Sequence, residues 1–85
     1  MIDAKIELRQ VPGGGWEQVR CSVALHEEQV VVLDVPARVD EIFPSQDIAV
    51  AMLKERVTFE LQQNHRHESG DDIKWLITVH PDRAH

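Results

Sequence analysis

The chain has one cysteine, Cys21, and no second thiol to pair with it. An intrachain disulfide is excluded, and with it the bridge framework on which most small secreted domains rely. No basic segment leading into an apolar run follows Met1-Ile2-Asp3, so no secretory signal is read there. No apolar stretch approaches the roughly 18 residues needed to cross a bilayer. Together these absences predict a cytoplasmic protein. Positive charge is scarce as well, with 9 Lys and Arg against 15 Asp and Glu, a formal charge of −6. Nucleic-acid binders draw most of their nonspecific affinity from neutralised phosphates. Without a dense basic stripe, neither nucleic acid nor an anionic membrane is an expected partner.

Signatures of chemistry are missing too. Glu27, Glu28, Asp34, Asp40, Glu41 and Asp47 face Arg38 alone in the middle of the chain. Of these, Asp34, Asp40, Glu41 and Asp47 lack the Asp-x-Asp-x-Asp-Gly order of a calcium loop and are read as a solvated face. Gly13-Gly14-Gly15 joins two strands, whereas a phosphate loop joins a strand to a helix, so a flexible turn is the reading. Cys21 lies mid-strand among Val19, Val23 and Leu25, which predicts a buried thiol behaving as a small hydrophobe. No nucleophile, base and orienting group assemble. The chain is expected to be non-enzymatic and to need no cofactor.

What is present is an ordinary globular balance, 42% hydrophobic and 28% charged over 85 residues. That length makes a single domain, residues 1–85, which buries only about 60 to 65% of its unfolded surface and needs a compact, nearly complete core. Ala4, Ile6 and Leu8 alternate with Lys5, Glu7 and Arg9, predicting a strand over 3–10 with one face on the core. Val11-Pro12-Gly13-Gly14-Gly15 turns the chain. A second strand is predicted over 16–25, with Val19, Cys21, Val23 and Leu25 on one side and Arg20, Ser22 and His26 on the other. His26-Glu27-Glu28 makes a short polar turn. The β-branched run from Gln29 to Val35 predicts a third strand, and Val30-Val31-Val32-Leu33 suggests a central place apolar on both faces. Pro36 ends it, and the acidic connector to Phe43 is expected to be pinned to the core by Val39, Ile42 and Phe43.

Pro44-Ser45-Gln46-Asp47 is a helix start: serine caps, and aspartate in the first turn suits the positive end of the dipole. Val50, Leu53, Val57 and Leu61 then fall on one stripe of a helix that continues to His65-Arg66-His67 and is stopped by Gly70. A rival reading ends this helix near Arg56 and makes Val57, Phe59 and Leu61 the inner face of a further strand. Ile73, Trp75, Ile77 and Val79 alternate with Lys74, Thr78 and His80, predicting a last strand over 72–80. Residues from Pro81 to His85 read as a frayed tail. The expected fold is α+β, a two-layer sandwich in the order β-β-β-α-β, with a four-stranded mainly antiparallel sheet and one helix. The alternative is β-β-β-α-β-β with a shorter helix. One sheet face is expected to stay partly uncovered, with free strand edges.

Two surfaces are candidates for function. A long helix puts Ile48, Met52 and Phe59 nearly opposite its core stripe, a second apolar stripe that suits a protein partner or a homodimer unless the connector folds over it. His65, His67 and His80 are candidate metal ligands for a small-ligand or metal-binding domain, against the plainer reading of polar side chains beside a negative helix end. The layout around Val35-Pro36 and Pro44-Ser45-Gln46-Asp47-Ile48 resembles that of the many short acidic bacterial proteins of unknown function. That resemblance implies no activity and no site residue.

Overall fold

The computed structural model describes residues 2–26, 29–65 and 73–81, with the side chains of 64 and 65 left aside. The expected turn at Glu27-Glu28, the helix stop at Gly70 and the tail beyond Pro81 lie outside them.

Period-two alternation produces β1, Ile2–Gln10, and β2, Trp16–His26, joined by a hairpin in which Gly13 and Gly14 take positive φ of 99° and 100°. β3 is Val30–Asp34, α1 is Gln46–His65 and β4 is Ile73–His80. The sheet order is β3-β2-β1-β4, antiparallel except for the parallel pair of β1 with β4. The fold is therefore α+β, β-β-β-α-β, with α1 carrying the chain from one edge of the sheet to the other. The rival strand over 57–63 is absent, because that segment is helix throughout.

In register, Ile2, Ala4, Ile6 and Leu8 stand beside Cys21, Val23 and Leu25, all buried under α1. The helix answers with Ala49, Leu53, Val57 and Leu61, each at most 1% exposed. Val50, placed on the core stripe by its spacing, is only half-buried, whereas Ala49 is fully buried. Ser45 caps as expected: its Oγ accepts from Ile48 N–H at 3.2 Å, and its carbonyl accepts from Ala49 N–H at 3.0 Å.

Three expectations fail. β3 is an edge strand, with Val30, Val31 and Val32 exposed. A β-branched run fits a pleated surface but carries no information about which neighbours it will have. Val19 leaves the inner row because the β1–β2 register shifts between Glu7 and Leu8, so that Gln18 stands opposite Leu8. One extra residue of this kind reverses which face the following side chains take. Of the three connector residues expected to be pinned, only Phe43 is buried, while Val39 is 90% and Ile42 52% exposed. Phe43 is held by paired backbone hydrogen bonds with Trp16, at 2.8 and 2.9 Å. The chain passes so close there that a β-carbon on Gly15 would run into the Ile42 side chain. Val35, also buried, donates its N–H to the Cys21 carbonyl at 2.8 Å.

Candidate protein interface

A helix lying on a sheet ordinarily turns one apolar stripe inward and polar side chains outward. α1 turns apolar side chains both ways. At 100° per residue, Ile48, Met52 and Phe59 fall within about 40° of one another, on the side opposite Leu53 and Val57. They are 44%, 41% and 58% exposed. Glu55 stands between Met52 and Phe59 on the same face, and Gln62 lies just beyond Phe59. Beside the stripe, a shallow groove runs along the helix, lined by Met52, Phe59, Gln62, Arg56 and, from the connector, Arg38.

The connector does not cover this face with Val39 or Ile42, both of which stay exposed. It is instead tied to the flank of the helix by a two-bonded ion pair in which Arg56 donates from both terminal nitrogens to Glu41, each at 2.8 Å. The pair is largely sheltered, with side chains 13% and 18% exposed. The hydrogen bond from Arg56 lowers the Glu41 pKa from its ordinary value against the opposing effect of burial, and the same bond raises that of Arg56. Asp40, at φ 57°, makes the left-handed turn that aims Glu41 at the helix. On the other flank, the Lys54 ammonium lies 5.4 Å from the centre of the Trp75 ring, joining α1 to β4.

The sheet face away from α1 is dressed with charge. Asp3 accepts from His26 at 2.9 Å, Glu7 from His80 at 2.7 Å, Glu17 from Arg9 at 3.2 Å and Asp34 from Arg20 at 3.2 Å. Among these, Val32 and Leu76 remain exposed at 56% and 57%.

The metal candidates are not brought together by what is described. His80, at the end of β4, is engaged with Glu7, His65 is the last residue of α1, and His67 lies outside the described residues. Among the described residues no three of His, Cys, Asp and Glu gather as a metal-holding group. Cys21 is 1% exposed, and burial pushes its thiol up to about 11 against the opposite pull of Arg56. At neutral pH it is a neutral, sheltered thiol. No helix among the described residues is long and apolar enough to cross a membrane.

Compared with family models, with curated proteins and with solved structures, the chain finds no match in any of the three.

Proposed function

We propose that this chain is a non-enzymatic interaction module that docks another protein on the outer face of α1 through Ile48, Met52 and Phe59. One observation carries the reading: three large apolar side chains stand in a row on the solvent side of a helix whose opposite side is fully used by the core. Isolated exposed apolar residues are normal, but three on one helix face beside a groove are the usual mark of a docking surface. Phe59, the most exposed of the three, is the natural anchor, and full burial of such a side chain contributes about 1.5 to 3 kcal/mol. Glu55, Gln62 and Arg38 would form the polar rim around it.

The purified chain tests this as bait, in parent form and as Phe59→Asp and Met52→Asp variants whose circular dichroism and melting match the parent. Support is a protein retained by the parent in stoichiometric yield and lost by both variants. Equal retention by all three forms, or no retention by the parent, sets the reading aside.

A further inference from the structure

We infer that the free edge of β3 pairs with the same strand of a second copy of this chain, antiparallel, with Val32 on the two-fold axis. Among the described residues β3 is hydrogen-bonded on one side only, to β2. Which backbone groups are left over follows from the ladder. Val35 N–H donates to the Cys21 carbonyl, so the Cys21–Val35 pair is a bonded one. Bonded and non-bonded pairs alternate in an antiparallel ladder, which makes Val23–Leu33 and Leu25–Val31 the next bonded pairs. The N–H and C=O groups of Val30, Val32 and Asp34 therefore point away from the sheet. They are the same three residues that a partner strand would meet.

Among the described residues β3 itself carries no lysine and no bulge, and Pro36 lies two residues past its end. Natural edge strands are blunted by lysine, proline, bulges or inward charge. β4 follows that practice, with Lys74 exposed on the strand itself. β3 presents Val30, Val31 and Val32, 60%, 40% and 56% exposed, and its one charge, Asp34, is already held by Arg20 at 3.2 Å.

A second copy fits because β3 is complementary to itself. With Val32 opposite Val32 of the second copy, Val30 stands opposite Asp34, and the outward groups of both strands close about six hydrogen bonds. Val31 meets Leu33 on the helix side; on the other, Val32 meets Val32 between two Val30–Asp34 pairs, so the seam is apolar on its helix side and at its centre. The two Asp34 carboxylates are then separated by four residues along the strands, roughly 13 Å, and do not oppose each other. The contact is isologous and closes as a dimer with one continuous sheet. It is independent of the proposed role of α1, whose outer stripe stays free in the pair.

Sedimentation equilibrium on the full chain gives the first test, with a shift from 9.7 kDa toward twice that mass as concentration rises. Val32→Lys, at a position exposed enough to accept lysine, should remove the dimer, while Phe59→Asp should leave it intact. Mild oxidation gives the register. Val32→Cys should cross-link to its copy, since bonded partners lie about 5.5 Å apart at Cα, within disulfide reach. Val30→Cys should not. A parent that stays monomeric at every concentration overturns the inference. So does a dimer that survives Val32→Lys, one broken by Phe59→Asp instead, or a cysteine at position 30 that cross-links as readily as one at 32.

Discussion

Cys21 shows burial and a neighbouring charge, Arg56, acting against each other in this small core. The thiol lies beneath the helix, 1% exposed and pushed up to about 11 by burial, and the nearby guanidinium recovers only part of that shift. Reactivity follows the thiolate and its access, so Cys21 should resist iodoacetamide at pH 8 in the folded chain and react fully in denaturant. Labelling of the native protein followed by mass spectrometry checks this, and rapid native labelling would contradict it. The Glu41–Arg56 pair gives a pH dependence of definite sign. Arg56 holds the folded-state carboxyl below its ordinary value of 4.5, whereas the unfolded chain titrates near that value. The pair therefore stabilises fully above the unfolded value, and its contribution is lost as the pH falls from there through the depressed one. Glu41→Gln should cost about 1 kcal/mol at neutral pH and flatten the acid side of a stability curve measured by urea melts. An acid limb as steep as the parent's would mean that other carboxylates govern it.

At the scale of elements, the two sides of α1 should respond in opposite ways to substitution. Leu53→Ala empties a site at 0% exposure and should cost about 2 to 5 kcal/mol. Phe59→Ala, on the outer face, should move stability by no more than about 0.5 kcal/mol. Thermal melts of both variants decide it, and a large loss at Phe59 would mean that the outer stripe is covered after all. β1, β2, β4 and the course of α1 were all legible in residue order, because alternation and 100° spacing are local consequences of which side chains must face a core. The candidate interface was legible for the same reason: Ile48, Met52 and Phe59 share a stripe on any helix of this length. What local order did not carry is neighbourhood. Nothing in Val30-Val31-Val32 says that a strand will lie on one side of it only, and nothing in Val39 or Ile42 says that the connector is held by Glu41, Val35 and Phe43 instead. The bulge at Val19 escaped for a related reason, since a single inserted residue changes the face without changing composition.

For the whole molecule, the two layers divide apolar and charged surface unequally. The open sheet face is covered by cross-strand ion pairs such as Arg9–Glu17 and Arg20–Asp34, with side chains roughly a quarter to two-thirds exposed. Pairs this exposed contribute little each, on the order of 0 to 1 kcal/mol. Apolar surface is left at the β3 edge, on the outer side of α1 and at Leu76 on the sheet face, and any self-association works against a charge of −6 on every copy. That sets the sign of a salt effect. Two copies approaching along β3 repel at long range, and the seam they form contains no ion pair between them. Salt at about 0.1 M and above screens the repulsion within roughly 10 Å and leaves apolar contact and backbone hydrogen bonds largely unaffected. The β3-paired dimer should therefore tighten severalfold between low and moderate salt, measured as the dissociation constant by sedimentation at several ionic strengths. An interface stitched by charge would weaken over the same range. Weakening would thus place any dimer on the charged sheet face and not on the valine edge.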